Sequence, residues 1–226
     1  MTERTFDVEL IELNDQILKM GNIVESSIAN CIDALQQRDE SLSRKIIEDD
    51  NCIDELENEI NDKCITLLAK RQPMAADLRF IATAMMIITD LERIGDLAVD
   101  IAERNIELLN WPLLKPLIDT PKLADTAKKM IKQSIDAFVN RDTSREMEFH
   151  ELEEESDRLR DLITDELTDI MVKDSSSVPK AIPLLLIARH LERICDHAMN
   201  IMEDVVYMVE ARVVKHFNYK GGNDLC

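Results

Sequence analysis

A 226-residue chain with 46 Asp and Glu against 27 Lys and Arg has a formal charge of −19, which argues against a nucleic-acid groove, because phosphate backbones are held by clustered bases. The same charge disfavours an anionic membrane surface. Glycine occurs only four times and aromatics make up 4%; a composition dominated by Leu, Ile, Ala, Met, Glu, Lys and Arg belongs to an all-α protein.

In chain order, the opening MTERTFDVELIELNDQ is polar and charged. It has no apolar core of the kind a secretory signal needs, so a cytoplasmic address is expected. A first helix is expected over 5–37 and a second over 40–70. Pro73 separates the second from a third over 75–109, since proline breaks helix interiors. The longest apolar run, Phe80 to Thr89, is about half of what a membrane-spanning helix needs and reads as buried core, so no membrane insertion is expected. The segment WPLLKPLIDTP, with three prolines, is a linker. Three more helices are expected over 121–140, 143–172 and 179–216, followed by a polar, fraying tail over 217–226.

Five cysteines form no CxxC pair, and with a cytoplasmic address disulfides are not expected. Cys31, Cys52 and Cys64 sit among helical apolar positions and read as small core residues.

The two halves repeat one another. Ile32-Asp33-Ala34-Leu35 followed by Arg38-Asp39 matches Ile135-Asp136-Ala137-Phe138 followed by Arg141-Asp142, an offset of 103. The offset continues through the next helix, where Asp50, Asp54, Leu56 and Ile60 fall on Glu153, Asp157, Leu159 and Ile163. In the third helix LERIGD (91–96) matches LERICD (191–196), an offset of 100. Residues 1–110 and 121–216 therefore read as two tandem, pseudo-symmetric three-helix bundles whose short connections make neighbours antiparallel.

A helix advances about 100° per residue, so Glu92, Asp96, Asp100 and Glu103 share a sector of about 80°. Ile87, Ile94, Leu97, Ala98 and Ile101 fall on the opposite side and should face the core. Asp50 and Asp54, with Glu57 continuing the line, could meet Glu92 and Asp96 across the groove between helices two and three. Glu153, Asp157, Glu192 and Asp196 repeat the pattern, with Arg160 and Asn200 where Glu57 and Asp100 would predict acids, so the second cluster should be less charged. A chain this acidic gives roughly nine i,i+4 acid pairs by chance, most of them plain solvated surface. Recurrence in register in both halves is what favours a cation site. Carboxylates are hard ligands that suit Mg, Ca, Mn or iron, with zinc also possible. His190 and His197 lie away from the stripe and read as packing or surface residues, and Arg93 and Arg193 as ion-pair partners of neighbouring acids.

The paired D/ExxxD motifs, LERIGD with Asp100 after it, LERICD, RQPMAADLR (71–79) and the repeat over about 215 residues resemble the PhoU family. That resemblance implies two symmetric three-helix bundles and an accessory role in phosphate-specific transport. It further implies negative regulation, coupling the ATPase subunit of a phosphate ABC transporter to a sensor histidine kinase, and a homodimer. It also implies multinuclear iron or zinc clusters on Asp50, Asp54, Glu92, Asp96 and Asp100, and on Glu153, Asp157, Glu192 and Asp196. Two alternatives remain at this level: a carboxylate-bridged di-metal enzyme and a metal-free scaffold. Helical di-metal enzymes place Glu-x-x-His motifs inward, and none of the four histidines here follows a Glu by three.

Overall fold

The computed structural model describes residues 2–214, with side chains from residue 5 onward. The tail expected over 217–226 and the last residues of the sixth expected helix lie outside the described residues. The elements are α1 (Thr2–Gln37), α2 (Glu40–Asp49), α3 (Asn51–Arg71), α4 (Ala75–Leu108), α5 (Asp119–Asn140), α6 (Glu146–Lys173), a 3-10 turn at Ser175–Ser177, and α7 (Val178–Glu210). The fold is all-α, with no strand among the described residues.

Most expected helix ends shift by three residues or fewer, and two helices change more. The helix expected over 40–70 is interrupted at Asp50, whose carbonyl accepts from both Ile53 N (2.8 Å) and Asp54 N (3.3 Å), mixing i+3 and i+4 bonding at one peptide. The helix expected to reach 216 ends at Glu210, where Ala211 takes a left-handed conformation (φ 55°) and its amide closes the last turn on Tyr207 O.

The first helix of each repeat stops the same way. Arg38 (φ 57°) and Arg141 (φ 54°), the matched arginines of the repeat, are both left-handed, a conformation that costs a non-glycine residue about 1 kcal/mol. Tertiary contacts offset that cost differently in the two halves. Arg38 Nη2 donates to Trp111 O (2.7 Å) and Leu109 O (3.1 Å), satisfying carbonyls that the end of α4 leaves open. Arg141 lies 5.0 Å over the ring of Phe80, which in turn stacks on Phe138 at 5.0 Å.

Within the first repeat, Arg71 pairs with Glu9 and Lys63 with Glu12, setting α3 antiparallel to α1. Asn105 Nδ2 donates to Cys31 O (2.7 Å), which with the Arg38 contacts sets α4 parallel to α1. Between repeats, α4 packs on α7 and α1 on α5, and Arg79 Nε donating to Met208 O (3.1 Å) fixes α7 antiparallel to α4. One continuous apolar core runs through both bundles. In the linker, Lys115 is nearly buried and paired with Glu166 of α6, tying the connection down.

The core-facing positions follow the expected wheel: Ile87, Ile94, Leu97, Ala98 and Ile101 on α4 and Ile53, Leu56, Ile60 and Leu67 on α3 are buried, while Leu42, expected on the same face, is half-buried on α2. Cys31 and Cys64 are buried too, but Cys52 is exposed. Its neighbour Ile53 holds the buried stripe, and one residue is a rotation of about 100° away from it.

Candidate metal centre

Gly95 decides how closely the second and third helices of the first bundle approach. A Cβ at this position would lie 2.9 Å from Ile53 Cδ1 and 3.1 Å from Asp50 Oδ1, so any side chain here would press on both and push the Asp50 carboxylate back from the α4 backbone. The break at Asp50 lies at that point of approach. Burial, then the charges of Asp54 and Asp96, push the Asp50 carboxyl up to about 6. Glu92 is raised by burial, then by Asp96, and also by Glu57 and Asp54, against the pull of Arg93. Asp50, Asp54, Glu57, Glu92 and Asp96 thus act on one another across the groove between α3 and α4, as their spacing predicts. Arg93 lies along its own helix, 3.4 Å from Glu92 and 3.3 Å from Asp96, with its side chain 57% exposed.

Asp100 stands apart. Its carboxylate lies 3.7 Å from His190 Nδ1 at the contact of α4 with α7, and it is not among the charges acting on Asp50 or Glu92. The wheel put it in line with Asp96; the wheel does not show that one more turn carries the residue past the end of the α3 groove and onto the other repeat.

The second cluster forms in the matching groove between α6 and α7. Burial, then Glu192, Asp157 and Glu153, push the Asp196 carboxyl up to about 6. Here a guanidinium crosses the groove. Arg160 Nη1 donates to Glu192 Oε1 (3.3 Å) and Nη2 to Asp157 Oδ1 (3.0 Å), and Nε lies 3.0 Å from Asp161. His150 Nδ1 is 3.4 Å from Glu153.

Sequence reasoning missed Asp90. Its Oδ1 lies 2.8 Å from His197 Nδ1 and accepts from Asn200 Nδ2 at 3.4 Å, so both histidines join the two repeats through carboxylates. The available signal was register: Asp90 falls on His190 and Asp100 on Asn200 at the offset of 100, as a pseudo-two-fold contact requires.

In both clusters the donors are hard oxygens that fit Mg, Ca, Mn, iron or zinc, and the cradle at Gly95 brings Asp50 toward Glu92 and Asp96. Among the described residues, no group of three or more His, Cys, Asp or Glu side chains is arranged as a formed metal site.

The architecture and the grooves define a duplicated three-helix-bundle protein with paired carboxylate clusters and no Glu-x-x-His motif. A family model described as the PhoU domain matches the chain twice, over residues 17–104 and 120–205. Proteins named phosphate-specific transport system accessory protein PhoU homolog are similar to it. The one from Clostridium acetobutylicum is 38% identical over 95% of this chain and 98% of its own length, and that from Aquifex aeolicus is 36% identical over 94% and 96%. The solved structure of PhoU from Pseudomonas aeruginosa superimposes with a TM-score of 0.87 at 32% identity, covering 92% of this chain and all of that one. The phosphate transport system regulatory protein PhoU from Streptococcus pneumoniae gives 0.85 at 28% identity, over 93% and 99%. The chain belongs to the PhoU family, whose curated members carry the names of accessory proteins and not of enzymes.

Proposed function

We propose that this protein is a cytoplasmic negative regulator of phosphate uptake and of phosphate-responsive signalling, coupling the ATPase subunit of a phosphate ABC transporter to a sensor histidine kinase. The observation that carries this reading is family membership through both repeats and nearly the whole chain, with relatives named as accessory proteins of phosphate-specific transport. Among the described residues no helix is long and apolar enough to cross a membrane, so contact with a transporter falls to a protein face. Deleting the gene tests the role. Phosphatase expression and phosphate uptake should rise in high phosphate and return to repression on complementation; unchanged expression in the deletion strain would contradict it.

The same reading assigns the carboxylate clusters to metal, as a multinuclear iron or zinc centre with Mn, Mg or Ca as further candidates. In the first repeat Asp50, Asp54, Glu92 and Asp96 would hold it. Support comes from the Gly95 cradle and from acids crowded enough to raise the pKa of Asp50 and Glu92. A cation there relieves that crowding and ties α3 to α4, giving structural or sensing use without turnover. The unit of action is taken to be a homodimer.

A further inference from the structure

The two clusters match in sequence but differ in what balances their charge. At offset 103 the position of Glu57 is taken by Arg160. In the first repeat Glu57 stands at that position as a further acid, and Arg93, the guanidinium that pairs with Glu92 and Asp96 among the described residues, belongs to the same helix as the acids it touches. In the second repeat Arg160 reaches from α6 to Glu192 on α7 while holding Asp157 on its own helix, with its side chain 32% exposed. Its planar fork lies across the groove that a cation would have to bridge, and a guanidinium keeps its charge at every accessible pH.

The packing beneath the acids differs as well. Gly95 and Ile53 of the first repeat are replaced by Cys195 and Ser156. Both Cys195 and Ser156 are buried. Cysteine puts a buried side chain on the α7 backbone where the first repeat has none, and serine is shorter than the isoleucine it replaces on the facing helix.

We propose that Arg160 is a counter-ion built into the second cluster, so that divalent metal loads the first repeat and not the second. The inference rests on the metal reading given above and makes the protein asymmetric: one bundle depends on a cation for its groove, and the other carries its own. Removing metal would then loosen α3 against α4 and leave the contact of α6 with α7 in place.

The test uses full-length, untagged protein stripped with chelator, reloaded with Mn2+, separated from free ion and counted by elemental analysis. Wild type should retain Mn2+, and the E92Q/D96N variant should retain none while Arg160 is present. Adding R160E to E92Q/D96N should restore Mn2+ binding, and R160Q, which removes the charge without adding an acid, should restore it at least tenfold more weakly. Circular dichroism of each variant should match wild type; if R160E unfolds, R160Q carries the test. Mn2+ retained by E92Q/D96N with Arg160 in place would overturn the inference and leave the metal reading standing. So would failure of a folded R160 variant to gain metal. Wild type that holds no Mn2+ would overturn the metal reading and this inference together, while leaving the phosphate-regulatory role to its own genetic test.

Discussion

His197 Nδ1 on α7 lies 2.8 Å from Asp90 Oδ1 on α4, and both side chains are less than one-fifth exposed. Together with His190 and Asp100 ten residues along α4, this contact places a histidine against a carboxylate at two related points of the joint between the repeats. Replacing one partner strands the other in a half-buried place, at a cost of about 1–3 kcal/mol. D90A and H197A should each lower urea-denaturation stability by about that amount, and the double variant should lose clearly less than the sum. Strictly additive losses would show that the pair does not couple the repeats.

Phe138 of α5 is fully buried against Phe80 of α4, with ring planes 12° apart. F138A removes both the buried volume and the stack, a loss of about 3–5 kcal/mol. The Arg141 guanidinium, on an exposed residue, lies 5.0 Å over the Phe80 ring, so R141A should cost only about 0.5–1 kcal/mol. A loss in R141A as large as that in F138A, read from denaturant midpoints, would mean that the cation contact anchors this end of the bundle as much as the stack does.

At Gly95 two effects oppose each other. Alanine in a helix interior gains about 1 kcal/mol over glycine, but its Cβ would press on Ile53 Cδ1 and Asp50 Oδ1, and overpacking costs about 1–3 kcal/mol. G95A should therefore be neutral to destabilising. I53V, costly by about 1 kcal/mol in the wild-type background, should become nearly free when combined with G95A, because it removes the atom that clashes. If paired melts show that I53V costs the same with and without G95A, the tight contact lies elsewhere.

Asp50 and Asp196, both pushed to about 6, hold their protons to higher pH when folded than when unfolded. Their contribution to metal-free stability is complete below about pH 4 and is lost as the pH rises through 6. Partial exposure reduces the effect to on the order of 1 kcal/mol per site. D50N should stabilise metal-free protein at pH 7.5 and have little effect at pH 4.5. Metal binding runs the other way, since the acid must ionise first: Mn2+ affinity should fall about tenfold between pH 7 and pH 5. A pH-independent affinity would take Asp50 out of the site.

Much of this architecture could be read from residue spacing. Prolines 73, 112, 116, 121 and 179 and the 103-residue offset placed the helices, while Pro183 lies inside α7, and the wheel separated Ile94 and Ile101 from Glu92 and Asp96. Three features escaped it for physical reasons. The break at Asp50 coincides with the approach to Gly95, a tertiary contact, and no local breaker residue announces it. Asp100 satisfies the wheel but faces His190, because helical angle says nothing of where along its length a helix leaves one neighbour for another. Asp90 and His197 meet through the contact of the two repeats, and helical periodicity carries no information about that pairing.

Metal content of untagged protein bears most directly on the claim that carboxylates meeting across the first groove gather a cation. Purified wild type, or wild type reconstituted with Fe, Mn, Zn and Mg, should carry bound metal by elemental analysis, and E92Q/D96N should lose it while keeping its helicity by circular dichroism. Wild type without metal under every one of those conditions would contradict the account.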